Sequence, residues 1–181
     1  MDVNRQIWKL SSLFLAYPDK EWYQQEEVGQ FIAELPDGSP KTNLQLFWDY
    51  VLSTTWLEYG ENYVKQFDFS KDCSLYLTYD VFGEQRERGL GFVKLKLEFA
   101  KAGFYISNDE LPDYLPLVLE FFTEAEDEFV HKLYYIHKKP MDTLYDKLRD
   151  QQSPYAYVVA ALLETLDQFV AVREKMEEKT V

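Results

Sequence analysis

Glu128 and His131 stand three residues apart, the spacing with which helices of a bundle can present a carboxylate and an imidazole to a pair of iron or manganese ions. Such a centre needs a second copy of the motif and further inward-facing glutamates. His137 has Tyr134 where that acid should be, and six residues of helix turn it about 240° away from His131, so the two imidazoles do not share a face. No metal ligand set is assigned. Cys73 is the one cysteine, so it has no partner for an internal disulfide or a Cys-x-x-Cys pair; with no nucleophile signature around it, it reads as a small buried thiol. Gly83, Gly89 and Gly91 make neither a phosphate-binding loop nor a dinucleotide fingerprint. No catalytic constellation emerges from these residues.

The chemistry that remains is recognition. The chain carries 32 acids against 19 Lys and Arg, a formal charge of −13, which opposes nucleic-acid binding through phosphate neutralisation and suits a basic partner. The acidity is local. No Lys or Arg occurs between Lys101 and Lys132, whereas Asp109, Glu110, Asp113, Glu120, Glu124, Glu126, Asp127 and Glu128 all fall there. A solvated, inert face is the competing reading of such a run. Within it lies Asn108-Asp109-Glu110-Leu111-Pro112-Asp113-Tyr114-Leu115-Pro116, where two prolines bias the residues before them toward extended backbone. A helix starting with Asp113 as N-cap would put Pro116 at the third helical position, where the missing N–H has no intrahelical partner to lose. Asn108 to Leu115 then form a stiff elbow beside an apolar helix. It could serve only to fix a packing angle, or it could hold acids at a binding site.

The elements that must position this elbow are helical. Val3, Ile7, Leu10, Phe14 and Tyr17 follow helical spacing up to Pro18, and Trp22 to Leu35 suggest a second helix closed by Pro36-Asp37-Gly38-Ser39-Pro40. Leu44, Phe47, Trp48, Val51 and Leu52 form a third stripe after a Thr42 or Asn43 cap, and Tyr59 to Phe67 a fourth. Residues 75–81 and 93–99 both alternate with period two, so a β-hairpin within 74–99 competes with helix there. The strong helix formers of Lys94 to Ala102 and the cap-competent Gly103 favour helix. Ser153-Pro154 opens a long closing helix, with a frayed tail at about 174–181. The expectation is an all-α, single-domain bundle over 1–181, with α+β as the alternative. No uninterrupted apolar run reaches the roughly 20 residues of a bilayer span, and no signal peptide is recognisable, so a soluble cytoplasmic chain without membrane insertion is expected.

Glu110-Leu111-Pro112-Asp113-Tyr114-Leu115-Pro116-Leu117, followed by Leu119-Glu120-Phe121, resembles the signature of the NarJ-type nitrate reductase assembly chaperones, within the wider TorD/DmsD/NarJ group of redox-enzyme maturation proteins. The resemblance continues through Tyr63-Val64, Phe67-Asp68, Ser74-Leu75-Tyr76-Leu77, Gly83-Glu84-x-Arg86-x-Arg88-Gly89 and Ser153-Pro154-Tyr155, all in order over roughly residues 60–170. It implies an all-helical TorD-like chaperone without catalytic activity. Such a protein binds the N-terminal segment of the apo catalytic subunit of a respiratory nitrate reductase before membrane docking. The client, not the chaperone, receives molybdopterin guanine dinucleotide and an iron–sulfur cluster, and molybdenum cofactor delivery proteins are candidate further partners. It also implies that Asp113, Tyr114 and neighbouring aromatics line the peptide groove. Tyr114 stands where relatives often carry His, which removes the imidazole a pH-gated release would need there.

Combining both lines, Leu111, Tyr114 and Leu115 are expected to supply affinity, and Asp113 and Glu120 orientation, with Glu110, Pro112 and Pro116 completing the peptide-binding set. Tyr79, Glu84, Arg86 and Arg88 are candidate supports, the two arginines as braces of the elbow. A generic acidic interaction module and a carboxylate–metal helical enzyme are the competing functional readings.

Overall fold

The computed structural model describes residues 2–70, 73–78, 86–107 and 110–178, excepting the side chains of 86–88 and 177–178. Its elements are α1 (Val3–Leu15), α2 (Glu26–Glu34), α3 (Ser39–Ser53), α4 (Trp56–Tyr63) running into a π-turn (Val64–Asp68), α5 (Arg86–Lys101), α6 (Leu115–Glu124), α7 (Asp127–Asp150) and α8 (Tyr155–Glu178). The fold is all-α, and the hairpin alternative does not form among the described residues. The only β feature there is an isolated antiparallel bridge between Tyr76 and Tyr114. The alternation at Leu75 and Leu77 is nonetheless physical: both are buried, while Tyr76 between them faces outward across that bridge.

α8 is the hub, packed against α1, α3 and α7, while α1 also packs along α6. Two polar contacts set α1 against α6 in antiparallel sense. The Ser12 hydroxyl donates to Pro116 O at 2.8 Å near the start of α6, and Arg5 Nη1 donates to Phe122 O at 2.8 Å and Thr123 O at 2.9 Å near its end. Arg5 thereby occupies carbonyls that a helix C-terminus leaves without intrahelical donors. The interior is one contiguous apolar cluster drawing on all eight helices, and aromatic pairs such as Phe14–Phe47 and Phe67–Tyr155 account for much of it. From α6 alone Leu115, Val118, Leu119, Phe121 and Phe122 are buried, each worth roughly 1.5–3 kcal/mol before ordering costs.

Several boundaries differ from the sequence expectation for identifiable reasons. Trp22 and Tyr23 precede α2, because the chain reverses at Gln24 in the left-handed region (φ 54°) and the Gln24 amide donates to Val51 O and Thr54 O at the end of α3. α3 begins at Ser39, not after Thr42, since Pro40 is tolerated in a first turn that needs no N–H. Thr55 and Glu58 form a reciprocal capping box that starts α4. Gly103 caps α5 at φ 85°, with Phe104 N donating to Phe99 O at 2.9 Å. α8 is helical from Tyr155 to Glu178. Its stretch Tyr155–Met176 is long and apolar enough to cross a membrane by length and composition, but 56% of that window is buried inside the bundle. Its apolarity is that of a core helix.

Candidate functional site

The elbow is built differently from the expectation that Asp113 caps α6. Tyr114 occupies the N-cap position and Leu115 starts the helix, so Pro116 is the second helical residue and still forfeits no hydrogen bond. Asp113 is fully buried. Its backbone carbonyl accepts from Leu77 N at 2.9 Å, Leu115 N donates to Leu75 O at 2.8 Å, and its Oδ2 accepts from both Thr78 N (3.1 Å) and the Thr78 hydroxyl. The carboxylate therefore turns back to pin segment 73–78 against the elbow. A capping role loses to this arrangement because one acceptor atom satisfies two donors of an otherwise irregular segment. His137 on α7 lies within electrostatic reach of Asp113, buried and with neither ring nitrogen hydrogen-bonded. Burial pushes its pKa down to about 4, with the Asp113 charge pulling the other way.

In front of this buried support runs a trough. One half, of about 610 Å³, lies between α1, α2 and α6, with Leu10, Leu13, Val28 and Phe31 on its walls. The other, of about 670 Å³, lies between the end of α1, α6 and the segment after the Gly103 cap, where Phe104, Tyr105 and Ile106 face Tyr114, Leu117 and Phe121. Ala16, Glu120 and Glu124 belong to both halves, which makes them one continuous surface. Its acids are Glu27, Glu110, Glu120 and Glu124, against Lys9 as the lining cation among the described residues. Partial desolvation in the trough raises the Glu120 pKa, and the Glu110 charge raises it further. The trough thus holds like charges close together. Chemically it suits an apolar chain segment bearing positive charge, and no cluster of metal-ligating side chains occurs among the described residues.

Of the residues singled out in the sequence, Glu110, Tyr114, Pro116 and Glu120 come together in this trough. Leu111 is exposed but is not a lining residue, and Pro112, Asp113 and Leu115 are buried. Leu115, at no exposure, is core, so an affinity contact through it has no surface to act through. Tyr79 and Glu84 lie outside the described residues, as do the side chains of Arg86 and Arg88. The sequence reading missed the contribution of α1 and α2, and also that of Tyr105, which is 87% exposed. The Phe-Tyr-Ile run directly after a capping glycine was the available signal for the last of these.

A family model described as nitrate reductase delta subunit matches residues 25–161. A probable nitrate reductase molybdenum cofactor assembly chaperone NarJ of Bacillus subtilis is 35% identical over 97% of this chain and 96% of its own length. The nitrate reductase molybdenum cofactor assembly chaperone NarJ of Escherichia coli K12 is 32% identical over 84% of this chain and 66% of its own length. A nitrate reductase-like protein NarX of Mycobacterium tuberculosis is 29% identical over 89% of this chain, which spans 24% of that longer protein.

Proposed function

This chain belongs to the nitrate reductase delta subunit family, and we propose that it acts as one domain, an assembly chaperone for the catalytic, molybdenum-containing subunit of a respiratory nitrate reductase. Its role is to bind, not to catalyse. In the cytoplasm it takes the N-terminal segment of the apo-subunit into the trough between α1, α2, α6 and residues 104–107. It keeps that subunit open to molybdenum cofactor and iron–sulfur insertion before membrane docking. Both groups are cargo of the client.

The observation that carries this reading is the continuity of one apolar trough with acids along its rim. Apolar burial supplies most of the affinity, since exposed charges are screened beyond about 8 Å at physiological ionic strength. The acids favour a cationic end and fix its direction. Asp113 contributes from behind, by holding the elbow so that Tyr114 and Glu110 face the trough. Titrating the protein with a synthetic N-terminal peptide of the cognate catalytic subunit, and with a scrambled peptide of equal charge, tests the assignment by calorimetry. Preferential heat with the native order is expected; equal heats would leave only a generic acidic surface.

A further inference from the structure

The trough does not end at α6. Tyr17, one of its lining residues, also lines a second apolar depression of about 500 Å³ formed by α4 and the π-turn, with Trp56, Leu57, Gly60, Val64 and Phe69 around it. The two are joined by an aromatic series: the Tyr17 and Tyr63 rings meet edge-on at 5.5 Å, and the Tyr63 and Tyr114 hydroxyls lie 3.4 Å apart. Within this depression Leu57 is 68% exposed and Phe69 81% exposed. Large apolar side chains grouped at that exposure mark a surface that is covered in use.

Gly60 leaves this surface open to close approach. It sits inside α4, where glycine costs about 1 kcal/mol relative to alanine. A Cβ placed there would meet nothing within 4 Å, so no neighbour in this chain excludes a side chain. Gly89 and Gly91 in α5 are equally open, but neither is among the residues lining the trough or this depression. Directly after α4 the chain forms a π-turn, a local irregularity that is concentrated at functional sites. Lys65, at the rim, makes no ion pair among the described residues, in a chain otherwise dominated by acids.

We propose that the client segment continues past Tyr17 and lays its backbone over Gly60, so that one peptide fills the trough with a cationic part and the α4 depression with a following apolar part. An acidic side chain in that second part is matched by Lys65. This rests on the trough being the client site and adds where the segment goes next and what its chemistry is. The close backbone approach is what the missing side chain at position 60 permits.

The test is calorimetry with a nested series of synthetic peptides of increasing length from the N-terminus of the cognate catalytic subunit. Native protein is expected to bind the longer peptides about tenfold more tightly than the shortest that binds, the gain from covering one Leu-sized side chain. Gly60→Gln should abolish that gain and leave the shortest peptide's affinity unchanged. Gly60→Ala should melt no lower than the native chain, and Leu57→Gln with Phe69→Gln gives a second way to remove the surface without touching the core. A flat length dependence in native protein, or a length gain that survives both sets of substitutions, overturns the extension while the trough stands. Binding by none of the peptides brings down both readings.

Discussion

His137 offers a prediction whose size follows from its surroundings. The ring is buried on α7 with both nitrogens unbonded, and its pKa is pushed down to about 4 from an ordinary 6.5. Between those values the unfolded chain binds a proton that the native chain refuses, so unfolding is favoured progressively as pH falls from about 6.5 to 4. Each pH unit in that window removes about 1.4 kcal/mol, so at pH 5 the native state has lost about 2 kcal/mol through this group alone. For a chain of this size that corresponds to a melting temperature lower by about 4–8 °C. Replacing His137 with Leu keeps an uncharged side chain in the space and removes the titration; with no hydrogen bond to break, the change should be near neutral or stabilising at pH 7. Urea unfolding at pH 7, 6 and 5 for both proteins isolates the effect, because the carboxylates titrate in common and cancel in the difference. The native curve should fall away from the His137→Leu curve below about pH 6.5. Parallel curves would refute the argument, showing that the buried ring accepts its proton, with Asp113 as the compensating charge.

Three further outcomes are expected. Asp113→Ala strips Thr78 N–H and the Thr78 hydroxyl of their shared acceptor and should cost about 2 kcal/mol or more in urea unfolding, whereas Asp113→Asn retains an acceptor and should cost less. Thr55→Ala removes the hydroxyl half of the α4 capping box and should cost about 1 kcal/mol by the same measurement. Glu120→Gln with Glu124→Gln should weaken binding of a cationic client peptide at low salt, with the difference from native closing as salt is raised. The same pair should not lower stability at neutral pH, because burial and Glu110 already disfavour the Glu120 charge in the folded state.

Much of the bundle was legible because its helices obey local rules. α1, α3 and α8 show one apolar stripe each, bounded by proline, glycine or a cap-competent residue, and Gly103 caps α5 as its type suggests. The boundaries that moved were settled at a distance. The reversal at Gln24 is fixed by carbonyls of α3, nearly 30 residues away in sequence. Asp113 has the residue type of an N-cap, but Thr78, 35 residues earlier, takes its carboxylate. The trough was half visible. Glu110, Tyr114 and Glu120 lie in a motif, while Leu13, Val28 and Phe31 look like ordinary members of helix stripes until α1, α2 and α6 are assembled.

The placement of Asp113 changes what any substitution in the motif can mean. A carboxylate with no exposed surface cannot touch a client while the elbow keeps its shape, yet it fixes the segment that presents Tyr114. Loss of binding on replacing it would accompany loss of stability and would report scaffold failure. Residues that meet the client directly must show the opposite signature, altered affinity at unchanged stability. Tyr105 and Tyr17 line the trough with surface to spare, and neither contributes to the buried cluster. If Tyr105→Ser weakens peptide binding while urea unfolding stays at the native midpoint, and Asp113→Asn does the reverse, the motif's most acidic-looking contact is a brace and its affinity resides in side chains that the motif does not contain.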